Sequence, residues 1–262
     1  MSVALEIVDV RKTFGTGVAV ERAAFAVEAN RFVSIVGPSG CGKSTLLRMV
    51  AGLIAPTAGR IVVGGRAVSG PIRNVGMVFQ APVLLPWRST LANILFVAEV
   101  GGRKGSAHRA RALQLMELAG LRGFEDALPH QLSGGMQQRA AICRALLLEP
   151  PLILMDEPFG ALDVLTRERM GFELQKIWSA SRNTVLFVTH SISEAVLLSD
   201  TVVVMTPRPG RIHDVVPVDL PRPRDTTVLT HPRFVELCAR VRSGITRSES
   251  DAGARSEAEY VH

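Results

Sequence analysis

One stretch, Gly37-Pro38-Ser39-Gly40-Cys41-Gly42-Lys43-Ser44-Thr45, constrains this chain more than any other. It fits the phosphate-loop pattern G-x-x-x-x-G-K-[ST]. The flanking residues give the pattern its context. Phe32-Val33-Ser34-Ile35-Val36 before it is a short β-rich apolar run, which reads as a buried strand. Leu46 to Ala51 after it are good helix formers. The glycines let backbone N–H groups turn inward around a phosphate, and the helix start adds unpaired donors and partial positive charge. Lys43 can reach the β- and γ-phosphates, and the Ser44 hydroxyl can ligate Mg²⁺. A thiol at a helix start can be acidic, so Cys41 is either a redox-sensitive group or a small residue filling a tight loop, the second being favoured.

With 262 residues, 47% of them hydrophobic, the chain can bury a sizeable core. Its apolar runs are interrupted well short of the roughly 18 residues that a membrane span needs. Met1 to Val10 carries acids and no long apolar core, so no signal peptide is expected. The three cysteines, Cys41, Cys143 and Cys238, have no metal-ligand spacing, which points to a reducing, cytoplasmic compartment. The net charge is +6 and the pI about 9.9, which allows nucleic acid or an anionic membrane surface as partner. Twenty-six of the 30 basic residues are arginines, scattered rather than blocked, and a solvated basic surface is the simpler account.

Taken in order, Val3 to Val10 and Ala24 to Glu28 alternate as strands do. Between them, Phe14 is expected in a polar turn, where its ring either stacks on a purine or caps a sheet edge. Arg60 to Val63 and Asn74 to Phe79 read as further strands, and Gln80 ends the second. From there it can reach a metal-bound water or a γ-phosphate, although a glutamine in such a place is, taken alone, more often an ordinary loop residue. Residues from about 84 to 150 change character and read as a mainly helical insertion. In it Leu91 to Val100 is a helix, Gly101 to Gly105 a breaker, and Ser106 the cap of a second helix. Ala112, Leu115, Met116 and Ala119 form a core stripe on that helix.

The insertion ends in Leu132-Ser133-Gly134-Gly135-Met136-Gln137-Gln138-Arg139. Ser133, Gly134 and Gly135 open a helix whose N–H groups make a second phosphate cradle, one without a lysine. The simplest use for it is to close over a nucleotide held by another copy. Leu152-Ile153-Leu154-Met155 is a buried strand ending in Asp156 and Glu157. An acid in that place holds Mg²⁺, and its neighbour can orient or deprotonate water. The strand Asn183 to Thr189 likewise ends in His190, a γ-phosphate sensor or a group that keeps Glu157 and water in line. Ligands gather at strand carboxyl ends in open α/β sheets. Thr201 to Met205 and Ile212 to Val216 read as a closing hairpin. Residues 217–224 read as a linker or edge, 234–241 as a short helix, and 248–262 as a disordered tail.

Together these residues resemble the ATP-binding-cassette (ABC) ATPases. The loop at 37–45, Gln80, the signature at 132–136, the strand end at 152–157, the turn around Asp163 and His190 come in that family's order. The resemblance covers about residues 3–224 and implies an α/β P-loop NTPase fold, a RecA-like core with an antiparallel β subdomain and a helical insertion. Residues 225–262 are then a C-terminal helix and tail. It also implies ATP and Mg²⁺ as ligands, Asp163 beside the nucleotide, and a homodimer with each ATP between one copy's loop and the other's Ser133-Gly134-Gly135. Phe14 stands where the family often has tyrosine, and Ser191 where aspartate is common. Leu84-Leu85-Pro86-Trp87 and Met205-Thr206-Pro207-Arg208-Pro209-Gly210-Arg211-Ile212 resemble importer ATPases of the nitrate, sulfonate and taurine group. That implies a membrane permease as partner, a periplasmic or extracellular solute-binding protein beyond it, and a place on the cytoplasmic face of the membrane. A soluble ABC ATPase acting on nucleic acid or in translation is the competing reading. Only the basic pI supports it, and the chain has a single cassette and a short insert.

Overall fold

Phe32–Val36 (β3), Leu152–Asp156 (β7) and Thr184–Val188 (β8) are buried along their whole length, because each lies inside a sheet with both faces covered. The structure, a computed structural model, describes residues 2–102, 105–160, 162–181 and 183–259. These three strands join Val75–Val78 (β6), Thr201–Met205 (β9) and Ile212–Pro217 (β10) in a six-stranded sheet of order β10-β9-β3-β8-β7-β6. All its pairings are parallel except β10 with β9, which close as the expected hairpin.

A second, antiparallel sheet has the order β2-β1-β4-β5. It is built from Leu5–Phe14 (β1), Gly17–Val27 (β2), Ala58–Val63 (β4) and Arg66–Ala67 (β5). Phe14 is therefore the last residue of β1, paired with Gly17, and not part of an extended polar turn. The polar stretch Arg11 to Thr13 is the exposed end of that strand, whose register shifts three times.

Helix Lys43–Val50 (α1) packs its apolar face between the two sheets, with Leu46, Leu47, Met49 and Val50 buried. Between β6 and β7 lie Thr90–Val100 (α2), Ser106–Leu118 (α3) and Gly134–Leu146 (α4), the helical insertion. Ser89 caps α2 by accepting from Ala92 N. Gly105, not Ser106, occupies the N-cap of α3. Arg103 and Lys104 of the expected breaker lie outside the described residues. The stripe Ala112, Leu115, Met116 and Ala119 is buried against α2 and α4. Phe32, Phe159, Phe187 and Trp178 form an aromatic cluster with ring centroids 5.7–5.8 Å apart, contacts of about 0.5–1.5 kcal/mol each beyond simple burial.

Val164–Ser181 (α5) and Ile192–Leu198 (α6) follow, and the chain ends in Pro232–Glu259 (α7). That helix is far longer than the short one expected at 234–241, and it continues through most of the stretch expected to be disordered. Residues 260–262 lie outside the described residues. Phe234, Leu237 and Val241 seat α7 against α6, β9 and β10. Residues 217–224 are more than a linker. Arg224 is buried and donates to the carbonyls of Val196, Leu197 and Ser199 at the end of α6. A cation suits a helix C-terminus, and burial lowers its pKa to about 10.

Candidate nucleotide site

The loop after β3 folds as its glycines allow. Gly40 and Gly42 have φ of 75° and 100°, in the left-handed region. At Gly42 a Cβ would also lie 2.8 Å from the Ala19 carbonyl oxygen and from Val20 Cγ2, so no other residue fits. At Gly40, which is exposed, the same position is open space. Lys43 is buried, and its Nζ donates to the carbonyls of Gly37 (2.8 Å) and Pro38 (2.9 Å). The ammonium thus sits inside the curl of the loop, with the N–H groups at the start of α1 beside it. Pro38 and Ser39 complete the curl, and Thr45 lies in the first turn of α1. Cys41 is buried and its thiol pushed up by that burial, so it fills space in the loop and is not an acidic, redox-ready thiol.

The sheet order sets the rest of the site. With β8 beside β3 and β7 beside β8, the loop, His190 and the two acids share one edge. Ser44 Oγ donates to Asp156 Oδ1 at 2.7 Å. Burial raises the Asp156 carboxyl above its ordinary range, and the Ser44 hydrogen bond offsets part of that. Glu157 takes φ 46°, a left-handed conformation for a residue with a side chain, and its N–H donates to Val188 O at 2.8 Å. This bend carries its carboxylate toward β8, where Oε2 lies 3.0 Å from His190 Nδ1. Backbone strain of this kind persists where the surroundings impose it.

So Lys43, Ser44, Asp156, Glu157 and His190 converge. Gln80 lies two residues beyond β6, on the far side of β7, and is exposed. Phe14 is half exposed, with Lys12 Nζ 5.1 Å from its ring centroid. Ser133 caps α4 by accepting from Met136 N, and Ser133 and Gly134 face outward with free space around Gly134. Gly135 backs onto Leu162, whose Cδ2 a Cβ would approach to 2.8 Å. Asp163 caps α5, accepting from Thr166 N. The adjoining Ala161 lies outside the described residues.

Three further residues reach this site without having drawn attention in the sequence. Thr189 Oγ1 donates to Glu194 Oε2 at 2.7 Å and accepts from Ser191 N at 3.0 Å. Arg167 Nε lies 3.4 Å from Glu194 Oε1. Glu194 had one signal: Ser191-Ile192-Ser193-Glu194 has the S-x-x-E form of a capping box, and here the Thr189 hydroxyl stands between the acid and the cap N–H. Thr189 and Arg167 had none.

The ABC transporter family model matches residues 20–160, more than half of the chain. The chain belongs to the ABC transporter family. It is 44% identical over 236 residues to a taurine import ATP-binding protein of Rhizobium johnstonii, covering 88% of this chain and 90% of that one. It is 46% identical over 201 residues to an aliphatic sulfonates import ATP-binding protein of Bacillus licheniformis, covering 77% and 78%. A dimeric ATP-binding cassette solved in a post-hydrolysis state with ADP and Pi superposes with a TM-score of 0.74 at 32% identity, covering 82% of this chain and 99% of that one. The ABC cassette described here is thus an ATPase whose hydrolysis drives transport, on a P-loop NTPase fold. Among the described residues no helix is long and apolar enough to cross a membrane.

Proposed function

We propose that this cassette powers import of a small oxyanion, most simply a sulfonate such as taurine, by hydrolysing ATP as a homodimer bound to a membrane permease. The observation that carries the chemistry is the pairing of Glu157 with His190 beside the Asp156–Ser44 pair, at the edge where the phosphate loop opens. The glycine curl around Lys43 suits a triphosphate, since it sets a buried cation beside the start of α1, where helix N–H groups lack partners. Ser44 and Asp156 offer the hard oxygen donors that suit Mg²⁺, and Gln80 is assigned as a further ligand, approaching from beyond β6. Ser44 and Asp156 would hold Mg²⁺ there, and it would supply positive charge against the phosphates of a bound nucleotide.

In this reading Glu157 orients and deprotonates the attacking water, and His190 holds the Glu157 carboxylate in line. Phe14 stacks on the purine. Ser133, Gly134 and Gly135 cap the γ-phosphate held by the partner, and Asp163 lies at the same junction. Outward-facing Ser133 and Gly134 support this assignment, since the cradle they form opens away from their own chain. The dimeric state of the similar cassette supports it too. Val83 and Trp87 are 60% and 72% exposed beside Gln80, an apolar pair suited to a permease helix at the cytoplasmic membrane face. A periplasmic or extracellular solute-binding protein would deliver the solute. The names of the similar proteins support a sulfonate class and do not favour a role on nucleic acid.

Glu157→Gln tests the chemistry. The expected outcome is ATP affinity close to wild type, turnover lower by at least about a hundredfold, and a dimer that persists with ATP on gel filtration. Hydrolysis at the normal rate removes Glu157 from the role. Loss of growth of a deletion strain on taurine or alkanesulfonates as sulfur source, but not on nitrate as nitrogen source, tests the solute class.

A further inference from the structure

The first turn of α6 holds a carboxylate that the chemistry above leaves unused. Glu194 is 8% exposed, and a buried carboxylate must be compensated. Its partners come from two directions. On one side Thr189 Oγ1 donates to it and accepts from Ser191 N, so the backbone is tied immediately before and immediately after His190. On the other side is Arg167 of α5. The same guanidinium donates through Nη2 to the carbonyl of Leu162 at 3.1 Å. Leu162 is the side chain on which Gly135 of α4 rests, and Asp163 follows it. One arginine therefore spans the turn at 162–163 and the carboxylate that fixes the backbone around His190. Glu194 is buried while Arg167 is only partly so, and an ion pair in such a place is weak evidence for stability, which leaves the geometry it sets as the role to test.

We propose that Arg167 and Glu194 are positioning residues, which relay the placement of the 162–163 turn to the His190–Glu157 pair, so that docking of a second copy against Ser133–Gly135 and Asp163 sets the geometry of water attack. The inference rests on the reading that two copies meet at those residues and that Glu157 acts on water. In the single chain the contacts from Leu162 through Arg167 and Glu194 to Thr189 are already made, and a second copy would add support on the outer side of the turn. In the docked pair the turn is pinned, Arg167 holds Glu194, Thr189 holds the backbone on both sides of His190, and the imidazole keeps Glu157 in register.

The test uses the full-length chain. Glu194→Gln and Arg167→Ala are expected to lower kcat by about tenfold while the KM for ATP stays within about twofold, the signature of a group acting at the transition state. Thr189→Ser keeps the hydroxyl and should turn over far faster than Thr189→Val, which keeps only the shape. This pair carries the test if an Arg167 or Glu194 variant fails to fold. Because the relay acts through His190, Glu194→Gln added to His190→Ala should cost nothing more in single-turnover hydrolysis. Losses that multiply overturn the proposal. The ring resonances of His190 in ¹³C-labelled protein, assigned by their absence in His190→Ala, should move in Glu194→Gln, and unmoved resonances likewise overturn it. Failure of the underlying reading looks different, since then Glu157→Gln itself hydrolyses ATP at the wild-type rate.

Discussion

Asp156 shows function opposing stability within one side chain. It is 3% exposed, and burial raises its folded-state pKa above the unfolded value. The folded chain therefore binds this proton more readily than the unfolded chain. Above the folded pKa the ionised carboxylate works against folding, and as pH falls through that pKa the penalty disappears. Asp156→Asn removes the charge, keeps an acceptor for Ser44 Oγ, and should stabilise the nucleotide-free protein at neutral pH by on the order of 1 kcal/mol while hydrolysis is lost. Thermal melts at neutral and acidic pH check the sign: the gain should shrink toward acid, and a lower melting temperature at neutral pH would show that the carboxylate is net stabilising. At this scale the sequence was informative where chemistry follows chain order. Lys43, Ser44, Asp156, Glu157 and His190 each lie within two residues of the end of an element, and the spacing of those elements points at them. Arg167 and Thr189 were not legible, because their part depends on α5 and α6 converging from separate stretches of chain.

Among the elements, the loop between β9 and β10 shows how a turn can serve two masters. Pro207-Arg208-Pro209-Gly210 reads as a hairpin connection, and it is one. In space it also wedges the phosphate loop against β2. Gly210 N donates to Ala19 O, its carbonyl accepts from Glu21 N, and a Cβ on it would lie 1.9 Å from the Cys41 carbonyl oxygen. Arg211 pairs with Glu21 alongside. Here the glycine is required by space. Gly210→Ala must displace the phosphate loop or its own strand, so it should destabilise the fold by about 3 kcal/mol or more and weaken ATP binding. Calorimetric ATP titration and a melt report both, and unchanged ATP affinity would mean that the hairpin gives way instead. The fully buried strands β3, β7 and β8 were legible because each is a short apolar run, only five residues long, bounded by polar or turn residues, too short for a helix. The end of β1 at Phe14 was not, since an exposed strand end looks like a polar turn. The length of α7 was hidden by its charged, polar composition, and residues 217–224 by their prolines, although Arg222 and Arg224 there bind the end of α6.

For the whole molecule, the claim that needs the strictest test is that a complete site takes residues from two chains. In one chain the phosphate loop sits with Asp156 and Glu157, whereas Ser133 and Gly134 point outward from the start of a separate helix. A closed two-fold pair supplies each loop with the other's helix start, and both contacts are made by one symmetry operation. Sequence could suggest this only indirectly, through a second glycine cradle with no lysine, because nothing in one chain records how it meets another. The Glu157→Gln background turns the claim into a binding measurement. Adding Ser133→Glu should leave ATP affinity of the single chain intact and abolish the ATP-driven dimer, since a carboxylate at the helix start repels the partner's γ-phosphate. Adding Lys43→Ala should abolish nucleotide binding and the dimer together. A mixture of the two double variants has one intact composite site per mixed pair, the loop of the first with the helix start of the second. It should therefore dimerise with ATP where neither variant does alone, though more weakly than Glu157→Gln by itself. Should the mixture stay monomeric at concentrations where Glu157→Gln is fully dimeric, the two halves of the site are not shared in this way, and α4 must meet its phosphate, if any, within its own chain.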